Sequence, residues 1–158
     1  MESVLRQIKT FLSAPSENKN ALLESDALVW IDWREYDENI LEYFNEKLPD
    51  NPKIDYEFTD SQSKRGFDII LKKHGQRTPI PYAEDGADRD TTIISAQEYL
   101  SPTYQIRLYT ETLGSDTLAF GVLYAAQWEQ LEQELGIDKI RYYFAPVQAD
   151  SKMFRSNI

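Results

Sequence analysis

The chain has 158 residues, of which 41% are hydrophobic, 13% aromatic and 28% charged, with a formal net charge of -10. That length suits one ordinary domain, and the apolar content is too high for a chain that stays disordered. The absence of cysteine excludes a disulfide scaffold, a thiolate zinc site and a cysteine nucleophile, and the negative charge argues against a general nucleic-acid binder, which needs clustered Lys and Arg.

In chain order, Val4, Leu5, Ile8, Phe11 and Leu12 fall at helical spacing, predicting an amphipathic helix from Glu2 to Leu12 that stops before Pro15. No apolar h-region of a signal peptide is present, and no run reaches the roughly 18 residues of a membrane span. A soluble, cytoplasmic protein is the expectation. Ser13 to Asn20 is polar and reads as a loop or frayed connection. Ala27 to Trp33 is β-branched and aromatic, a buried strand with Trp30 or Trp33 in the core. A helix from Tyr36 to Leu48 puts Ile40, Leu41, Phe44 and Leu48 on one face.

Lys53 to Asp60 alternates, and so does Gly66 to Lys73. His74-Gly75 is a tight-turn pair, and Gln76 to Tyr82 returns as a strand that Pro79 and Pro81 confine to an edge. Asp90 would cap a helix from Thr91 to Leu100. Tyr104 to Tyr109 and the strand carrying Leu118, Phe120 and Val122 form a hairpin. A helix from Ala125 to Leu135 follows, with Trp128, Leu131 and Leu135 at i, i+3 and i+7, and Gly136 at its end. Ile137 to Phe144 fits a helix or a strand, and from about Pro146 the chain reads as a loose tail. The expected fold is therefore α+β, a single domain (1–158) with a mostly antiparallel sheet of about five to six strands and three to four helices.

The charge is uneven. Between Tyr82 and Asp138 eleven acids face only two bases, Arg89 and Arg107, a balance of -9, against -4 before this segment and +3 after it. Such a field attracts and steers cationic partners, although acids of this kind also serve solubility. Its members near the loops are Glu84, Asp85, Asp88, Asp90, Glu111 and Asp116.

Chemistry motifs are lacking. Counting an EF-hand from Asp85 or Asp88 puts the wrong residues at the required Gly and Glu positions. His74 has no companion histidine and no Gly-x-Ser-x-Gly elbow to serve, so it reads as a solvated turn residue. The six glycines are isolated, which removes phosphate-cradling loops. Lys64-Arg65 and Lys72-Lys73 make at most a small basic edge. No catalytic residue, metal or cofactor is expected. Of the 20 aromatics (seven Phe, three Trp, ten Tyr), Tyr36, Tyr43, Tyr99, Tyr109, Tyr124 and Tyr142 are hard to bury all at once, and exposed Tyr beside carboxylates is a common composition for protein interfaces. Tyr109 faces away from Ile106 and Leu108 on its strand, which makes it the best single anchor for a partner beside carboxylates. An ordinary half-buried cross-strand aromatic is the other reading of this residue.

Tyr104-Gln-Ile-Arg-Leu-Tyr109, Leu113-Gly-Ser-Asp-Thr-Leu118 and Gln127-Trp-Glu-Gln-Leu131 resemble a pattern in small bacterial immunity proteins, which neutralise toxins delivered between competing bacteria. The resemblance covers about Asp90 to Gly136 and carries no site residue with it. It implies a non-enzymatic protein that binds a cognate toxin domain with a basic surface, a nuclease for choice, and neither nucleic acid nor membrane. The expected contact residues are Glu84, Asp85, Asp88, Asp90, Tyr109, Glu111 and Asp116. An adaptor without a toxin partner is the alternative, and a carboxylate- or metal-dependent hydrolase ranks third.

Overall fold

The computed structural model describes residues 1–49, 53–62, 65–83 and 86–154. Helices α1 (Glu2–Ser13) and α2 (Pro15–Glu24) precede strand β1 (Val29–Asp32) and helix α3 (Asp37–Asn45). Strands β2 (Tyr56–Asp60), β3 (Phe67–Lys73) and β4 (Gln76–Pro79) lead to helix α4 (Arg89–Leu100). Then come β5 (Tyr104–Tyr109), a short 3-10 turn (Thr110–Thr112), β6 (Thr117–Tyr124), α5 (Ala125–Leu135), α6 (Ile137–Tyr143) and β7 (Phe144–Pro146).

The class is α+β, with the strands divided between two antiparallel sheets. One has the order β1-β6-β5-β7, the other β2-β3-β4. The long hairpin sets the larger sheet: Ile106 lies opposite Val122 and Leu108 opposite Phe120, while β1 adds Ile31 opposite Leu118. Because side chains alternate across a sheet, these residues share one face. There they join Ile40, Leu41 and Phe44 of α3, Ile93 and Ala96 of α4, and Ile69 and Leu71 of the smaller sheet in one core. The opposite face carries Ala119, Leu123 and Tyr109, packed with Ile8, Phe11 and Leu12 of α1, Trp128 of α5 and Phe144 in a second core. Gly121 lies on this face because a Cβ there would sit 3.2 Å from Ile8 and 3.3 Å from Phe144.

Several expectations are corrected. The described residues hold six helices and seven strands, more of each than the pattern suggested. Ser13 to Asn20 is no loop: Pro15 occupies the first turn of α2, where its missing N–H costs nothing. Ile137 to Phe144 is mostly helix, with β7 starting at Phe144. The cap of α4 is Asp88, whose carboxylate accepts from the Thr91 N–H at 3.1 Å and from the Thr91 hydroxyl at 2.7 Å. Asp90 instead accepts from the backbone N–H of Met153 (3.2 Å) and of Phe154 (3.0 Å). The segment after Pro146 is therefore docked rather than loose, with Val147 and Met153 in the core.

A second buried charge holds the smaller sheet in place. Arg65, just before β3, donates to Asp37 at the start of α3 at 2.8 Å, and neither side chain is more than 8% exposed. The same Asp37 oxygen accepts the Asp88 N–H at 2.9 Å, and the Arg65 guanidinium lies 3.7 Å from the Tyr82 ring centroid.

Two predictions follow from these buried polar groups. Asp90→Ala strands two backbone donors of the docked segment, so it should lose about 1–3 kcal/mol in urea unfolding and open residues after Pro146 to limited proteolysis. Burial also pushes the Tyr104 phenol up to about 12 and raises those of Tyr82 and Tyr109 well above the ordinary value. An unfolded phenol loses its proton near about pH 10 while the folded one keeps it. This contribution to stability is therefore complete below that pH and declines as pH rises through the folded values. At about pH 11 a native sample should show fewer phenolates by ultraviolet absorbance than the same sample in denaturant.

Candidate protein-binding surface

Strand β1 alternates as expected of an edge: Val29 and Ile31 are buried in the first core, while Trp30 points to the other face and remains 39% exposed. The chain then turns sharply. Asp32 accepts the Arg34 N–H at 2.8 Å and the Thr117 hydroxyl at 3.2 Å, and its carbonyl accepts the Glu35 N–H at 2.9 Å. The Arg34 N–H, then the Arg34 guanidinium, hold the Asp32 carboxyl below its ordinary pKa, and Asp32 with Asp116 holds Arg34 above its own. This turn throws Trp33 (51%) and Tyr36 (68%) into solvent. The expected burial of Trp30 or Trp33 is thus corrected. Only Trp128 is a core tryptophan, its ring N–H donating to the Gln105 carbonyl at 2.9 Å.

Two hollows meet at Trp30. One, about 440 Å³, is lined by Lys19, Leu23, Tyr109, Glu111, Ser115 and Asp116 among others; the other, about 280 Å³, by Asp32, Glu35, Tyr43, Glu46 and Lys47. Five carboxylates therefore surround the ring. Among the cations, Lys19 pairs with Glu111 at 3.5 Å, Arg34 with Asp32 at 3.2 Å, and Lys47 bonds the Asp26 carbonyl. The surface has a net negative charge and an aromatic centre. Glu35 is fixed by three donors, the Tyr36 N–H, Asn39 and the Tyr43 hydroxyl, and that last bond raises the Tyr43 phenol.

The seven expected contact residues separate into groups. Glu111 and Asp116 come together at the rim of the larger hollow. Tyr109 is fully buried, stacked on Phe144 at 5.3 Å, and its hydroxyl bonds Glu111. It positions that carboxylate rather than presenting a ring. Asp88 and Asp90 are buried at the start of α4 with the structural bonds given above. Glu84 and Asp85 lie outside the described residues. Tyr36 is among the tyrosines expected to be hard to bury, whereas Trp30, Trp33, Asp32, Glu35 and Glu46 are not expected contacts, although the alternation Val29-Trp30-Ile31 already places Trp30 opposite the two aliphatic residues.

A second concave region lies between the β3–β4 turn and α4, where grooves of about 450 and 500 Å³ share Lys73, His74 and Tyr99. Two of its cations are engaged: Lys73 bonds the Tyr99 carbonyl, and Lys72 lies 3.8 Å from both Asp55 and Glu57. His74 is exposed in the turn, at a φ of 52° beside Gly75 at 78°. Among the described residues no group of three or more His, Asp and Glu could hold a metal ion, and no helix is long and apolar enough to cross a membrane.

No family model, curated protein or solved structure matches the chain.

Acrylamide quenching checks the arrangement. A variant retaining only Trp30 or only Trp33 should show a several-fold larger quenching constant than one retaining only Trp128. Trp33→Ala should alter stability by no more than about 0.5 kcal/mol, as expected of an exposed side chain.

Proposed function

We propose that the chain is a protein-binding module of the immunity type, which occludes the basic surface of a toxin domain with the face centred on Trp30. The observation that carries this reading is the exposure of three large aromatic rings, Trp30, Trp33 and Tyr36, within one short stretch bordered by carboxylates. A monomeric protein gains nothing in stability from such rings, and large exposed apolar groups within a polar rim characterise interaction sites. Trp and Tyr are also the residues that most often dominate interface energetics. The surrounding charge would steer a cationic partner and resist an anionic one.

The interface would consist of the aromatic rings as anchors and the carboxylates as a rim. Asp116 and Glu111 come from the hairpin that resembles immunity proteins, whereas Trp30, Asp32 and Glu35 come from the first third of the chain. A toxin with a phosphate-holding cleft offers cations that suit the rim. Blocking that cleft needs no chemistry from this chain.

Identifying a toxin gene next to the one that encodes this chain, co-expressing the two and measuring binding tests the reading. Trp30→Ala should weaken affinity by about 30-fold or more, corresponding to a hot spot of about 2 kcal/mol. Asp116→Lys should mainly slow association, with the difference shrinking at high salt. Tyr142→Ala, at an exposed ring elsewhere, should leave binding unchanged. Wild-type affinity in the Trp30 and Asp116 variants would assign the wrong face, and a toxin that the chain neither binds nor neutralises would overturn the immunity reading.

A further inference from the structure

Strand β1 ends the four-stranded sheet, and its hydrogen-bonding phase is fixed by one contact. The Trp33 N–H donates to the Asp116 carbonyl at 2.8 Å, continuing the register in which Ile31 faces Leu118 and Val29 faces Phe120. In an antiparallel pair, bonded and outward-facing residues alternate. Val29, Ile31 and Trp33 therefore turn their backbone groups to β6, and Trp30 and Asp32 turn theirs away. The Asp32 carbonyl is taken by Glu35. The Trp30 N–H, the Trp30 carbonyl and the Asp32 N–H are left facing outward from the sheet among the described residues.

Natural edge strands are usually blunted by proline, lysine or a cover. Strand β4 carries Arg77 and Pro79, and β7 carries Pro146, whereas the short strand Val29-Trp-Ile-Asp32 carries no proline or cation, and its one charge, Asp32, is negative and would favour a cationic strand. The two hollows that meet at Trp30 are lined from opposite faces of the sheet, one by Tyr43 of α3 and Glu46 just after it, the other by Glu111 of the 3-10 turn and Asp116. A strand added at this edge would send alternate side chains to the two faces.

We infer that β1 accepts an extended basic segment of the partner as an additional antiparallel strand, paired through Trp30 and Asp32. Its Lys or Arg side chains would meet Glu35 and Glu46 on one face, and Glu111 and Asp116 on the other. This rests on the proposed binding face and specifies how the face is used. The backbone would supply affinity in a sequence-tolerant manner, and the carboxylates would select for positive charge.

The test uses four short capped peptides: a Lys-Val peptide repeating Lys-Lys-Val-Val, so that each face of the added strand receives Lys, a Glu-Val peptide repeating Glu-Glu-Val-Val, and two forms of the Lys-Val peptide N-methylated at alternate amides, one in each phase. Amide exchange and chemical shifts of the full chain are followed by NMR. The Lys-Val peptide is expected to bind and to slow exchange at Trp30 and Asp32, with Ile31 unchanged because its N–H is already bonded within the sheet. N-methylation in one phase should weaken binding about tenfold or more, the size of a lost backbone hydrogen bond, and the Glu-Val peptide should not bind. Equal binding by both N-methylated forms, with no protection at Trp30, would overturn strand addition and leave the basic-partner face standing. Failure of the Lys-Val peptide to bind at all would also overturn strand addition, while the toxin measurements above judge the face independently. Equal binding of the Glu-Val peptide would overturn the assigned charge of the occupant.

Discussion

Strand β6 is buried on both faces from Leu118 to Val122, and the rest of the molecule is arranged around that constraint. Leu118, Phe120 and Val122 face one core, Ala119 and Leu123 the other. A strand covered on both sides cannot show a simple apolar-polar alternation, and Thr117 to Tyr124 is correspondingly apolar almost throughout. The close approach of Ile8, Phe144 and Trp128 over Gly121 shows how tightly the second layer is applied. Edge strand β1 lacks this double cover. Its Val29 and Ile31 share the first core, but at Trp30 the helical layer ends, and the ring stays partly in solvent. The same geometry that buries Trp128 completely leaves Trp30 at a boundary between two hollows.

Buried charges tie the outer segments to this frame. Removing one partner of such a pair costs more than the pair contributes, because the remaining charge is left without compensation. Asp37 receives both Arg65 and the Asp88 N–H, which joins α3, the loop before β3 and the start of α4 at one carboxylate. Asp90, two residues further on, holds the backbone of Met153 and Phe154. Across the sheet, Glu132 accepts from Arg107 at 3.2 Å and from Arg141 at 2.8 Å. Burial by itself would raise the Glu132 carboxyl, and the two guanidiniums outweigh it and hold the group below its ordinary value. Arg107 lies 4.7 Å from the Trp128 ring centroid, and burial lowers its pKa. The acids and bases in these contacts serve the fold and are not available to a partner.

Local patterning made much of the fold legible. The β5–β6 hairpin, α3, α5 and the His74-Gly75 turn each follow from a period or a turn pair confined to about ten residues. Helix α2 was missed because Pro15 reads equally well as the stop of one helix and the first turn of the next, and Ser16 to Asn20 offers no apolar stripe. The docking of Met153 on Asp90 spans 63 residues of sequence, and no period records such a contact. The proposed binding face was half legible. Glu111 and Asp116 emerged from charge counting, whereas the aromatic centre was hidden by reading Ala27 to Trp33 as uniformly buried. A continuous apolar run permits two covered faces but does not require them.

Charge counted along the chain and charge arranged in space differ for a definite reason. The segment from Tyr82 to Asp138 holds most of the net charge, yet Asp88 and Asp90 are buried in hydrogen bonds there and Glu132 is paired with Arg107 and Arg141. Of the four loop acids from that segment among the described residues, Glu111 and Asp116 reach the Trp30 surface. The remainder of that surface's charge, Asp32, Glu35 and Glu46, comes from a segment whose sequence balance is much closer to neutral. Antiparallel pairing of β1 with β6 brings the two sources together, since Asp32 lies opposite Thr117, next to Asp116. A field that steers a partner is set by which carboxylates share a face, so strand register, more than regional composition, determines where a cationic partner would be drawn. Here that register places the charge beside the aromatic rings and the open backbone edge, where attraction, burial and hydrogen bonding can act on the same ligand.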